Sequence, residues 1–186
     1  MSLATLFRRN PHRDAAMMLY HGIVEQARRP DFFAAYGVPD TLDGRFELIA
    51  LHEFLVLGRL KQEHARTAKL AQELFDTFFA DMDRALRELG VGDLAVGKHV
   101  KRMATAFYGR IVSYERGLAG DDAVLGEALA RNLFGTVSPR SGDLATLSAY
   151  VRQAAASLAA QPIHDLMAGA VRFPLLEASR AAGEAL

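Results

Sequence analysis

This sequence predicts an all-α, single-domain bundle of about seven helices around a buried central helix, and three observations predict it. Apolar residues recur at three- and four-residue steps through most of the chain. No run alternates with a period of two beyond a few residues, so no sheet is expected. Residues 43–60 are apolar on nearly every face, with Phe46, Leu48, Ile49, Leu51, Phe54, Leu55, Val56, Leu57 and Leu60. A helix of that kind belongs in the middle, with the others packed on it.

The elements follow in order. Asn10 before Pro11 reads as a cap with proline in the first turn, starting a helix that runs to about Arg29 and is stopped by Pro30. A short helical turn over residues 31–36 leads through Pro39, Asp40, Asp43 and Gly44 into the central helix. A polar passage from Lys61 precedes a strongly amphipathic helix whose stripe is Leu74, Phe75, Phe78, Met82, Leu86 and Leu89, ended by Gly90. The next helix is expected from a cap at Asp93 to Leu118, with Phe107, Ile111 and Tyr114 inward and Gly120 as its stop. Asp121 or Asp122 caps a shorter helix to about Leu133. The loop GTVSPRSG is the only candidate boundary inside the chain. Beyond it, Ser141 or Asp143 caps an Ala-rich helix, and Pro162 starts a last helix to about Phe173. The C-terminal helices, about residues 141–173, are expected to pack on the core, and the tail over 174–186 is expected to be partly mobile.

Composition bounds the function. At 186 residues and 51% hydrophobic content the chain suits one core. Lys plus Arg (22) equals Asp plus Glu (22), so no global field draws it to nucleic acid or an anionic membrane, and no sequence-specific nucleic-acid contact is expected. The absence of Cys excludes disulfides, zinc-thiolate sites and thiol nucleophiles. The N-terminal apolar run precedes its arginines, the reverse of a secretory signal, and Leu3, Leu6, Phe7, Arg8 and Arg9 offer at most a weak membrane-surface contact. The most apolar window, 46–57, is too short to span a bilayer, so a soluble protein is expected.

Two sets of charged residues stand out. Arg45, His52 and Arg59 lie seven apart on the central helix and drift only about 20° per step, forming one basic line. Buried charge is costly unpaired, so a structural polar network with Asp81 and Glu88 is expected across the bundle. The alternative is a small-ligand or haem-binding domain in which the line holds an anionic group. Lys98, Lys101, Arg102 and Arg116 share the outer part of the next helix but one, as a solvated face or a partner-binding surface.

No catalytic constellation accompanies them. His52-Glu53 begins like a zinc-protease helix, but position 56 is Val56. No acidic residue stands three before a His, which excludes the di-iron bundle motif. Phosphate-cradling glycine loops and the GxSxG elbow are absent. Neither an enzyme nor a metal or other cofactor is expected.

The blocks GRF (44–46), LHxFLVxxRL (51–60), DMDxxLRExGVGD (81–93) and FYGR (107–110), in that order, resemble the ubiquinol–cytochrome c chaperone family over about residues 17–135. The resemblance implies a helical assembly factor for respiratory complex III with no chemistry of its own, whose client is cytochrome b. It also implies contacts with the ribosome or a second assembly factor. Gly44, Arg45, Phe46, His52, Arg59, Asp81, Asp83, Arg87, Gly90, Gly92, Lys98, Tyr108, Gly109 and Arg110 occupy motif positions, and Arg110 thereby joins Lys98, Lys101, Arg102 and Arg116 as a candidate partner contact. Because the chain starts almost at the domain, a bacterial member without a targeting extension is expected.

Overall fold

The computed structural model describes residues 10–140 and 142–176. Every regular element among them is helical: α1 (Pro11–Ala27), α2 (Asp31–Ala34), α3 (Leu42–Lys61), α4 (His64–Glu88), α5 (Asp93–Ala119), α6 (Asp122–Leu129), a π-helical turn (Ala130–Phe134), α7 (Asp143–Ala160) and α8 (Ile163–Met167). The expected all-α bundle is what forms. The membrane-contact reading of Leu3 to Arg9 falls outside the described residues.

Local chemistry sets the helix starts. Asn10 Oδ1 accepts from the His12 amide at 3.1 Å, and Thr41 Oγ1 caps α3 by accepting from the Gly44 amide at 3.1 Å. Asp121 caps α6 through the Val124 amide at 3.0 Å. Two expected caps are replaced. Asp93 is the first residue of α5 and its carboxylate pairs with Arg87, so Gly92 occupies the cap position without a side-chain bond. Before α7, Gly142 sits at φ +90°, and Asp143 turns back to the Arg140 amide at 2.8 Å. The last helix is shorter than expected: α8 ends at Met167, because Gly169 at φ +88° reverses the chain. Residues 170–176 then run irregularly. Gln161 holds them by bonding the Arg172 carbonyl at 2.6 Å and its amide at 3.0 Å. Leu176 is buried, and residues 177–186 lie outside the described part.

Helix α3 is the centre. It packs against α1, α4, α7 and the π-helical turn, while α5 and α6 bridge α4 to α7. Its buried residues cover most of its circumference, as its sequence requires. Phe78 of α4 is the focus of an aromatic cluster with Tyr20, Phe46, Phe79 and Phe107, at centroid separations of 4.7 to 6.3 Å.

One close approach fixes how the chain enters α3. A Cβ at Gly44 would lie 2.1 Å from the Pro39 carbonyl oxygen, which is backbone and cannot swing away. Alanine there gains up to about 1 kcal/mol of helix propensity, but relieving the contact costs about 1–3 kcal/mol. Gly44→Ala is therefore expected to lower the melting temperature; an unchanged or higher value contradicts the packing.

Candidate functional site: an apolar groove at the α3–α4–α5 junction

The expected network does not form, and the register of the α3–α4 hairpin explains why. The two helices run antiparallel through a tight turn near residue 62, so Asp81 is level with the start of α3 and Glu88 lies past it. Neither can reach His52 or Arg59. Arg45 is exposed and pairs with Asp40 at 2.6 Å. Asp81 accepts from Tyr20 Oη at 2.7 Å and pairs with Arg84, while Glu88 is exposed. Arg59 bonds the Leu158 and Gln161 carbonyls at 3.0 and 3.1 Å, and Glu63 at 3.1 Å. It thus closes the negative end of α7.

His52 is fully buried. Its Nδ1 donates to the Leu48 carbonyl at 2.7 Å, so Nε2 accepts from Tyr150 Oη at 2.7 Å, and Tyr150 in turn accepts from Gln26 Nε2 at 3.0 Å. This relay links α3, α7 and α1. Both ring nitrogens are used, and Phe32 and Phe173 stand edge-on to the ring. The three basic residues therefore do not converge on one ligand.

Burial lowers the His52 pKa from 6.5 to about 4. As pH falls through that window the unfolded chain takes up a proton that the folded chain refuses, so stability is lost. The shift corresponds to roughly 3 kcal/mol. The neighbouring Glu53 acts oppositely: it is wholly buried, neither of its oxygens has a hydrogen-bond partner, and burial pushes its carboxyl up, so its contribution is lost as pH rises. The His52 effect is isolated by comparing the wild type with His52→Gln. The wild type's stability advantage is expected to shrink by about 3 kcal/mol between neutral pH and pH 4, in urea titrations. Parallel pH profiles would remove histidine protonation as the cause.

A larger feature lies where the start of α3, the end of α4, the start of α5 and the π-helical turn meet. They enclose a groove of ≈ 720 Å³ lined by Phe46, Met82, Leu86, Leu89, Met103 and Val137 among others. A second hollow of ≈ 660 Å³ adjoins it and shares Leu42, Phe46, Met82 and Ala85 in its lining. Leu42, Leu89 and Val137 stand exposed along the first hollow. Grouped exposed apolar side chains of this kind mark contact sites. Glu47 and Arg110 face each other in its wall. Arg110 Nε donates to Glu47 Oε2 at 2.6 Å, a second bond joins the same pair, and the guanidinium lies 5.8 Å from the Phe46 ring centre. Desolvation pushes the Glu47 carboxyl up even against the opposing pull of Arg110. Arg102, which donates to His99 Nδ1 at 2.7 Å, and Arg131, which donates to Ser113 Oγ at 2.8 Å, give the mouth a positive side.

Of the candidate partner contacts, Arg110 is committed to Glu47 inside the wall. Lys98, Lys101, Arg102 and Arg116 are exposed on α5. Sequence reasoning missed the groove, because its walls come from four separated segments. The available signal was the motif blocks themselves: Gly44 and Phe46 from GRF, Met82 and Leu86 from DMDxxLRE, and Arg110 from FYGR all line it. Among the described residues no group of three or more His, Asp or Glu could hold a metal ion, and no helix is long and apolar enough to cross a membrane.

Residues 34–173 match the family described as Ubiquinol-cytochrome C chaperone, well over half of the chain. The chain belongs to that family. A crystal structure of the Cbp3 homolog from Brucella abortus is 38% identical and superposes with a TM-score of 0.82, covering 95% of this chain and 98% of that one. Ubiquinol-cytochrome c reductase complex assembly factor 1 of Mus musculus is 32% identical over 166 residues, 88% of this chain and 56% of its own length. The Homo sapiens counterpart is 30% identical over 165 residues, 88% of this chain and 55% of its own length. The chain thus spans just over half of these two mammalian relatives. Membership makes this a chain of the ubiquinol–cytochrome c chaperone family with a single all-α domain, and its relatives are complex III assembly factors.

Proposed function

We propose that this chain is a non-enzymatic assembly factor that binds cytochrome b during assembly of ubiquinol–cytochrome c reductase, and that the α3–α4–α5 groove receives an apolar segment of that client. The convergence of three sequence-separated motif blocks on one partly open apolar groove carries the reading. A membrane protein awaiting insertion exposes helices of about 20 apolar residues. A trough lined by Phe46, Met82, Leu86 and Met103 removes part of such a helix from water, worth about 25 cal/mol per Å² buried. The polar wall of Glu47 and Arg110 is internally neutralised, so it adds no net charge opposing that burial. The chain acts in the cytoplasm beside the inner membrane, where such a client is inserted.

The test is site-specific photo-crosslinking from Leu86 and Val137 in cells, combined with deletion of the gene. Crosslinks to cytochrome b from both positions, with reduced cytochrome b and complex III activity after deletion, are the expected result. Unchanged cytochrome b and complex III activity in the deletion strain overturns the function. Crosslinks that arise only from positions outside the groove overturn the site.

A further inference from the structure

We propose that the outward face of α5 is a docking surface for an anionic phospholipid bilayer. Helix α5 packs mainly on α4 and α6 and reaches α3 through Arg110–Glu47 and Tyr114–Phe54, with Phe107 and Tyr114 buried on that side and the opposite face exposed. At 100° per residue, Leu94, Lys98, Lys101, Tyr108, Val112 and Arg116 fall within one outward stripe, and all six are exposed. The stripe is about 33 Å long at 1.5 Å per residue.

Its charge is of one sign. The carboxylate at its edge, Glu115, is tied to Lys61 at 2.8 Å, so it does not neutralise the stripe. Asp93, at the start of the helix, is paired with Arg87. The whole chain carries equal numbers of cationic and acidic residues, 22 of each, so this segregation is local and not a reflection of a basic protein. A surface of anionic headgroups is complementary to it.

The apolar members distinguish lipid from nucleic acid. Leu94 is fully exposed, and Tyr108 and Val112 are 58% and 67% exposed, interleaved with the cations. A phosphate backbone offers Leu94 and Val112 nothing in exchange for their hydration. A bilayer boundary does, since interfacial helices seat leucine-like and aromatic side chains about 5–10 Å into the headgroup region while their cations stay among the phosphates. Arg102 borders both the stripe and the groove, so a docked chain holds its groove mouth beside the bilayer surface. The surface does not depend on the groove reading, because lipid binding is measured without any client.

The experiment is flotation of the purified full chain with vesicles of phosphatidylcholine alone or mixed with phosphatidylglycerol. Wild type is expected to float with the mixed vesicles and not with phosphatidylcholine alone. Raising salt to about 0.5 M, where screening acts within a few Å, is expected to release it. Lys98→Glu combined with Lys101→Glu is expected to cut the bound fraction about tenfold or more, two reversed charges removing most of the headgroup attraction. Leu94→Ser combined with Val112→Ser is expected to lower binding at constant charge; if it leaves binding unchanged, the apolar contact is refuted. Circular dichroism on each variant, all at exposed positions, separates lost docking from lost folding. Absence of flotation, or equal flotation of wild type and the Lys98 and Lys101 variant, overturns the proposal. Loss of vesicle binding when a generic RNA hairpin is added, with the hairpin bound tightly by the same residues, reassigns the face to nucleic acid.

Discussion

Glu47→Ala is expected to lower stability by about 3 kcal/mol, the low end of the cost of orphaning one partner of a buried ion pair, and Arg110→Ala by less. The asymmetry comes from what each deletion leaves behind. Without Glu47, the Arg110 guanidinium stays charged in a wall where its side chain is only 19% exposed. Its charge cannot be discharged by losing a proton in any accessible range. Without Arg110, the Glu47 carboxyl, pushed up by burial and freed of the opposing pull, can shed its charge by taking a proton as pH falls. A carboxyl whose folded pKa is raised stabilises the fold below its unfolded pKa and loses that contribution as pH rises. The deficit of Arg110→Ala is therefore expected to shrink as pH falls from neutral towards 4.5, while that of Glu47→Ala shows no such recovery. Urea unfolding of both variants at neutral and mildly acidic pH checks this. Equal deficits with parallel pH profiles would show that the pair is solvated and contributes little.

Leu86→Glu is expected to weaken client capture by roughly a hundredfold, because about 2–3 kcal/mol is needed to place an unpaired carboxylate against a buried apolar segment. Leu86 is partly exposed in the free chain, so the fold tolerates the change. The measurement is crosslinking yield to cytochrome b from Val137, across the groove, in cells carrying the variant. Retained yield would mean that the client lies elsewhere. Leu86→Met, which keeps the volume and the apolar lining, is expected to retain capture and serves as the matched control.

The bundle was legible in the sequence because helix periodicity, caps and stops are local. Asn10, Gly90 and Asp121 act where spacing placed them, and the central helix extends one residue beyond the expected 43–60 at either end. The polar partnerships were not legible, because they depend on the level at which two helices face each other. His52 looked like the middle of a basic line but is a neutral member of a relay to Tyr150, 98 residues away. Arg110 entered through its motif position as a candidate partner contact, because one helix's periodicity does not show that Glu47 of another helix comes to face it. The π-helical turn at Ala130–Phe134 left no sequence mark either, yet its Leu133 and Phe134 help wall the groove. The family resemblance crossed that gap only in part: it marked the blocks that meet at the groove without showing that they meet.

The relay from Gln26 through Tyr150 to His52 has a consequence for how the chain is made. The only stretch that reads as a boundary, ahead of α7, separates Tyr150 from both of its partners. A ribosome that has reached that loop has emitted α1 and α3, but the hydroxyl that closes the relay has yet to be synthesised. The nascent protein therefore reaches its final core late, and one shortened at the loop would leave the His52 imidazole uncovered and the Gln26 amide without its hydroxyl partner. The segment from α7 onward completes the interior; it is no appendage to a finished N-terminal unit.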